Sequence, residues 1–530
     1  MKTLAQRIFA VHSSVGVATG LLLFAVTFTG TVALFQAEVG AWANPSLRFR
    51  APERLDVDAL LEAHDDVIPR DAKDILVFLP DAVRPSLRVS VHAEGEPKWL
   101  DIDPRTGARL PTGQHGFEKV WRNVHTNALM GRLGRYLVGL SGLVMLLSLV
   151  SGLLAHRKLF QQLWTWRRGR SFRIQCGDLH KLLGVWGSVA HVLFGFTGAI
   201  LGLLGVLALV SAFVVYRGDR EAAIEAVVGP AVERSGEPAE PPELGPLFRE
   251  AARWDPDVDW QTARLMEWGD RNSHVELAGF PTNTVSMRRS LRFRGHDGAV
   301  VHEVDWVAGG PWHRAFGLVQ PLHYGSYGGL GIKVLYVLLG VAGALLVATG
   351  LVVWLDGRSR RAGRWHRALA GSSAAVLAGF PLATFMLPLA DRMWASHTAQ
   401  RFELLTNAYV ACLGVALLYG LCRPPERALR ELLAASAGCA LWAVALDILT
   451  VGWAKAVVDG GAAAAANFGF AAAGVLLAWV AVKLPPGVLK VPTSRSPDRS
   501  HSQSSPEEAV AQGAAASFGE SPPAPRARRG

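Results

Sequence analysis

The stretch HSSVGVATGLLLFAVTFTG, His12 to Gly30, recurs in outline as HKLLGVWGSVAHVLFGFTG, His180 to Gly198. Histidine, glycine, threonine and glycine coincide at a constant offset of 168: His12 with His180, Gly16 with Gly184, Thr29 with Thr197, Gly30 with Gly198. A second pair of stretches repeats at an offset of 198, where His125, Gly131, Gly142, Ser151 and Gly152 match His323, Gly329, Gly340, Thr349 and Gly350. Each stretch runs through about twenty apolar residues, the length that crosses a bilayer. The chain therefore reads as two copies of a span, polar module, span unit, followed by a longer apolar extension.

Composition agrees with a polytopic membrane protein: of 530 residues, half are hydrophobic and 18% are charged. The formal charge of +10 gathers at the ends of apolar runs, where Lys and Arg fix topology, so it implies no nucleic-acid partner. Apolar runs near 13–36, 133–155, 182–215, 331–355, 367–390, 404–422, 431–451 and 464–483 make eight spans. The first follows Lys2 and Arg7 as a signal peptide would, but its apolar stretch is too long for a typical signal core, and it reads as an uncleaved span. Four cysteines, none in the large polar regions, provide neither a disulfide framework nor a CxxC metal site.

The implied organisation is a span within 1–36, a polar module over 37–132, a span at 133–155, a basic loop over 156–181, a span at 182–216, a second polar module over 217–330 and a span at 331–355. A four-span extension over 356–484 and a Ser-, Pro-, Ala- and Arg-rich tail over 485–530, which lacks the means to build a core, complete it. Arg157, Lys158, Arg167, Arg168, Arg170 and Arg173 fill the loop after the second span, and Arg358, Arg360, Arg361, Arg364 and Arg367 follow the fourth. The excess of basic residues places these loops in the cytoplasm, together with both termini, and both modules outside.

The modules agree in kind. The first reads as a helix over Val57 to His64, strands near Ile75 to Leu79 and Leu87 to His92, and the strand and turn KWLDIDPRTGARL; the second reads as a helix near Leu247 to Arg253 before the strand-like NSHVELAG, NTVSMRR and SLRFRGHDGAVVHEV.

Residues four apart share a helical face and eighteen residues make five turns, so His12, Gly16, Gly20 and Gly30 lie on one stripe, as do His180, Gly184, His191 and Gly198. An imidazole followed one turn later by a missing side chain suits a flat iron-bearing macrocycle, the histidine binding the metal and the glycine admitting the ring. His12 and His180 stand at the cytoplasmic edge and His125 and His323 at the outer edge, two per side, which suits paired axial ligation of b-type haem and leaves open which histidine pairs with which. The competing reading makes the glycines helix-packing residues and the histidines headgroup neighbours. His191, about 16 Å beyond His180 along the axis, is deep enough to be a functional candidate: a ligand of a second haem, or a neutral imidazole bonded to a neighbouring helix. His156 and His366 read as interfacial residues. His115, His313 and His397 face outward. Arg288, Arg289, Arg292, Arg294, Trp306 and Trp312 form a cationic, aromatic group in the second module, where a solvated face competes with attraction of an anionic ligand.

These features resemble the PepSY-associated transmembrane proteins, which include iron-regulated inner-membrane proteins and periplasmic siderophore reductases. The resemblance rests on VHSSVGVATGLLLFAVTFTGTVALFQAEV, VHTNALMGRLGRYLVGLSGLVMLLSLVSG, DLHKLLGVWGSVAHVLFGFTGAI, PLHYGSYGGLGIKVLYVLLGVAGALLVATGLVVWL and DIDPRTGARL, covering about the first 360 residues. It implies an α-helical polytopic protein of the bacterial inner membrane, with two external α+β PepSY-like modules and two b-type haems on His12, His125, His180 and His323. It further implies electron transfer outward to a ferric chelate or siderophore, with lipid as its surroundings and His191 as a departure from the family pattern. GSYGGLG near Gly325 opens a membrane helix rather than closing a βα turn, so no flavin or NAD site is indicated and the electron donor would be a quinol or a separate reductase protein. Two rival functions are a non-enzymatic sensor or protease-modulating binding protein and a metal or siderophore permease with histidines as transient ligands.

Overall fold

The computed structural model describes residues 3–69, 72–92, 97–111, 116–156, 160–162, 164–359, 363–395, 400–458 and 460–489. In the first repeat, helix α1 (Leu4–Ala33) opens with a capping box, Thr3 and Gln6 each accepting from the other's backbone amide. Helices α2 (Gln36–Ala43) and α3 (Val57–Glu62) lead to strands β1 (Asp74–Phe78), β2 (Leu87–His92) and β3 (Lys98–Ile102), then to helices α4 (Phe117–Asn127) and α5 (Gly131–Ala155). The second repeat holds α6 (Phe172–Trp186), α7 (Ser188–Val214), α8 (Arg220–Val228), α9 (Leu244–Trp254), β4 (Val258–Met266), β5 (His274–Pro281), β6 (Arg289–Arg294), β7 (Val300–Val304), α10 (Pro311–Gly317), α11 (Val319–Tyr324) and α12 (Gly329–Asp356). The extension is α13 (Arg364–Ala390), α14 (Arg401–Cys422), α15 (Pro425–Val451) and α16 (Ala462–Lys483).

Among the described residues eight helices are long and apolar enough to cross a membrane: α1, α5, α7, α12, α13, α14, α15 and α16. Leu140, Leu147, Leu154, Phe213, Leu338 and Leu418 are exposed on them, as the hydrocarbon-facing side of such helices must be. Small residues set the closest crossings. A Cβ built on Gly202 of α7 would lie 2.5 Å from the Gly139 Cα of α5, and one on Gly371 of α13 would lie 2.4 Å from the Gly420 carbonyl of α14.

The two polar modules share one antiparallel sheet of order β3-β2-β1-β4-β5-β6-β7. Its central joint is the β1–β4 pair, in register from Asp74 opposite Met266 to Phe78 opposite Thr262, a union that no local sequence pattern announces. One face carries Ile75, Val77, Leu87, Val89, Ala263, Leu265, Val275, Leu277, Leu291 and Phe293 into a core completed by Leu61 of α3 and Leu244, Leu247 and Ala251 of α9. The alternation of buried and partly exposed residues along β1 and β5 is the period of two expected of a sheet with one covered face. The expected turn at Asp103 is present: the Gly107 amide donates to the Asp103 carbonyl, and Gly107 has the positive φ of 70° that the turn requires.

Two expectations need correction, one at NTVSMRR and one in the third span. NTVSMRR is a loop up to Arg288, with only Arg289 in β6; β4, which the pattern left unmarked, is the longest strand. The histidines that head the second and fourth spans stand on separate short helices: α4 ends at the left-handed residues Ala128 and Leu129 before α5, and α11 ends at Gly325 before α12. The third span is interrupted at Gly187, which divides His180 on α6 from His191 on α7.

Candidate functional site: two facing histidine pairs

The bundle of α1, α5, α6, α7 and α12 brings the four recurrent histidines together two by two. The rings of His12 and His180 face each other with centroids 6.1 Å apart and planes at 63°. At the sheet-side end, His125 and His323 stand with centroids 6.2 Å apart and planes at 17°.

Each ring is anchored in the same way. The Nδ1 of His12 lies 2.9 Å from the Ser148 carbonyl of α5, and that of His180 lies 2.8 Å from the Leu346 carbonyl of α12, residues themselves related by the 198 offset. The Nδ1 of His125 lies 3.0 Å from the Val26 carbonyl of α1. His323 uses Thr197 instead, at 2.9 Å; the Thr197 hydroxyl donates to the Leu193 carbonyl, so its oxygen accepts from the imidazole. A carbonyl only accepts, so Nδ1 carries the proton and Nε2 keeps its lone pair for a ligand.

Glycines on the neighbouring helices receive the rings. A Cβ on Gly152 would lie 3.0 Å from His12 Cε1, on Gly350 2.8 Å from His180 Cε1, on Gly30 2.7 Å from His125 Cε1, and on Gly198 3.0 Å from His323 Cε1. These are the recurrent glycines of the sequence, and their role is to seat an imidazole from another helix. The glycines one turn after the histidines behave differently. Nothing lies within 4 Å of a Cβ on Gly16, whereas one on Gly184 would touch Leu346 at 3.5 Å.

A metal–imidazole bond is about 2 Å and the ring centre lies about 1 Å behind the ligating nitrogen, so two imidazoles on opposite sides of one metal have centroids roughly 6 Å apart. Both pairs meet that distance. Among the described residues each supplies two donors rather than three or four, so a metal held there would take its remaining ligands from a group that brings its own, as a porphyrin does.

His191 is 3% exposed and makes no ring contact with either pair among the described residues. Among the described residues neither of its ring nitrogens has a hydrogen-bond partner; its Nε2 would lie 3.4 Å from a Cβ on Gly343 of α12. His366 stacks on Trp354 at 6.3 Å, His156 ends α5, and His313 is exposed beside Trp306. His115 and His397 lie outside the described residues. Of the candidate arginines, Arg289 pairs with Asp255, Glu303 and Asp305, Arg292 with Glu276 and Arg294 with Asp297, while Arg288 sits over the Phe280 ring at 5.7 Å. Trp312 is exposed and Trp306 packs on Phe316.

Sequence reasoning missed a buried polar cluster in the extension, where Asp447 meets Arg48, Arg392 and Asn467, and Asp391 meets Arg401. An aspartate inside an apolar run, as Asp447 is, was the signal for it.

The family described as the PepSY-associated TM region matches residues 9–356, which hold both repeats and all four paired histidines. Uncharacterized protein PA4219 of Pseudomonas aeruginosa is 34% identical over 278 residues, covering 50% of this chain and 70% of that protein. The chain belongs to the PepSY-associated transmembrane family.

Proposed function

We propose that the protein is a haem-containing electron-transfer protein of a bacterial inner membrane that reduces a ferric chelate, such as a ferric siderophore, on the periplasmic side. The observation that carries this reading is the pair of facing imidazole sets, each with Nδ1 anchored and centroids 6.1 or 6.2 Å apart, at the two ends of one bundle. His12 and His180 would hold one b-type haem and His125 and His323 the other. Bound there, the haems supply one-electron carriers that divide a hydrocarbon layer of about 30 Å into shorter steps.

The chain's own residues do the rest. The carbonyls of Ser148, Leu346 and Val26 and the Thr197 hydroxyl fix ring orientation and raise the basicity of the ligating nitrogens. The seating glycines hold each imidazole against a helix backbone, so little reorganises when charge changes. The His12 pair lies at the end where the basic loops emerge, and the His125 pair at the end that carries the sheet, which supports entry of electrons from a cytoplasmic-side quinol or reductase protein and exit outside. A quinol gives up two electrons and two protons, and each electron reduces one ferric ion to ferrous.

The test is a sided one. Proteoliposomes charged with a quinol, with a ferric chelate and a ferrous-specific chromogenic chelator outside, should develop ferrous colour; His180→Ala and His323→Ala should each fall to the lipid-only rate. Unchanged rates in both variants would favour a binding protein or permease instead.

A further inference from the structure

We infer that the four-helix extension is a one-sided brace that fixes the ligand His125 through α4, leaving His323 as the compliant ligand of the same pair. This rests on the haem reading only for its consequence at the metal; the mechanical claim stands on packing alone.

Helix α4 is amphipathic, and its apolar face, Phe117, Val120, Trp121 and Val124, is buried in one cluster with Trp42 of α2 and residues of the extension, among them Phe385, Leu405, Tyr409 and Phe470. The Phe470 ring of α16 lies 5.6 Å from Trp42 and 6.3 Å from Trp121, one turn before His125. Trp42 in turn lies 5.8 Å from Phe117, at the start of α4.

Two buried polar knots tie α2 and the residues just after it, against which α4 packs, to the extension. In the first, the Trp42 indole donates to Asn467 Oδ1 at 2.8 Å, and Asn467 Nδ2 donates to Asp447 at 2.8 Å. Asp447 also accepts from Arg48 at 2.7 Å and Arg392 at 2.8 Å, and both arginines reach the Trp42 carbonyl. In the second, Arg401 makes a bidentate pair with Asp391 at 2.6 and 2.5 Å and donates to the Ala43 carbonyl and the Asn44 side chain, both at 3.2 Å. Asp447 and Asp391 are fully buried. Buried charges with several satisfied partners admit one geometry and penalise its loss. The seat of α4 is thus specified by Trp42 and its neighbours together with groups of the extension, the latter outside the 9–356 family region.

Among the described residues, the second repeat shows no such cover. Its counterpart of α4 is the stretch holding α10 and α11, where α11 packs on α7 and Trp312 is 87% exposed. A left-handed Gly325 with Gly328 and Gly329, also at positive φ, joins α11 to α12. The two ligands that face each other at 6.2 Å are therefore held with unequal stiffness.

The test uses the full chain with Asp447→Ala and the milder Phe470→Leu. Hydrogen exchange should accelerate about tenfold or more in 117–127 and stay unchanged in 319–324. In the oxidised protein, electron paramagnetic resonance should show one of two low-spin haem signals converting to high-spin while the other persists. Equal acceleration in both segments, or in neither, would overturn the brace. Accelerated exchange in 117–127 alone, in a protein that binds no haem, would uphold the brace and defeat the haem reading. Both signals changing together in Phe470→Leu would count against a one-sided role.

Discussion

Replacing Gly350 by alanine places a methyl group 2.8 Å from His180 Cε1 and 3.1 Å from its Nδ1, where ordinary contact begins at 3.4 Å. The ring must retreat by roughly 0.6 Å, because the far side of the contact is helix backbone and does not yield. Retreat opens the 2.8 Å bond from Nδ1 to the Leu346 carbonyl. Overpacking of this kind costs about 1–3 kcal/mol, and a loosened hydrogen bond about 0.5–1.5 kcal/mol. The apo ring is free to retreat and the ligating ring is not, so the overpacking of about 1–3 kcal/mol falls on the haem-bound state and lowers haem affinity at this pair by about 5-fold to 150-fold. Titrating haem into apo protein and following the Soret band resolves such a change, with the His125 pair as internal reference. Two haems bound with unaltered affinity in Gly350→Ala would refute the seating argument.

Four further outcomes follow from the same geometry. Thr197→Val removes the acceptor of the His323 Nδ1 proton and should weaken the sheet-side pair by about 1 kcal/mol, less than Gly198→Ala, on the same titration. Gly16→Ala, with nothing within 4 Å, should leave the apo Tm unchanged or raised while lowering haem affinity, because the open space is where a macrocycle would lie; unchanged affinity would remove Gly16 from the site. His191→Leu copies Leu23, its counterpart at the 168 offset, and relieves two unpartnered ring nitrogens; apo Tm should rise by an amount equivalent to about 1–3 kcal/mol with both haems retained, and loss of one haem would instead make His191 a ligand. In the sheet module, burial pushes the Asp270 pKa up, but the amides of Asn272, Ser235 and Gly236 and the Ser235 hydroxyl outweigh it and hold it at about 2. A carboxyl depressed in the folded state stabilises above its unfolded pKa, near 3.9, and loses that contribution as pH falls toward about 2. Thermal melts between those values should therefore fall less steeply in Asp270→Ala than in the parent protein, and parallel melting curves would contradict the assignment.

The spans and the duplication were legible because hydropathy and constant offsets are local, countable signals. Four of the site histidines were legible for the same reason. Their pairing was not, since His12 meets His180 and His125 meets His323 across helices far apart in sequence. The glycines that seat the rings carried the repeat plainly at Gly30, Gly152, Gly198 and Gly350, yet the histidine each one receives comes from another helix, which spacing along one chain segment does not encode. The joining of two modules into one sheet through β1 and β4 is likewise a long-range pairing. NTVSMRR misled because its alternation of polar and apolar residues imitates a strand, whereas Met287 uses its amide to cap against the Gly317 carbonyl instead of a neighbouring strand. The extension's contribution lay in isolated charged residues such as Asp447 and Arg401, whose partners include Arg48 and Asn44, hundreds of residues away.

The most direct test counts haem and reads its ligation in one preparation. Purified from haem-replete cells, the protein should bind two b-type haems per chain, with dithionite-reduced minus oxidised spectra showing the sharp α and Soret bands of bis-imidazole iron, and His12→Ala and His125→Ala should each lose one. A correctly inserted protein with no such bands, or with bands that survive all four histidine replacements, would contradict the paired-ligand account.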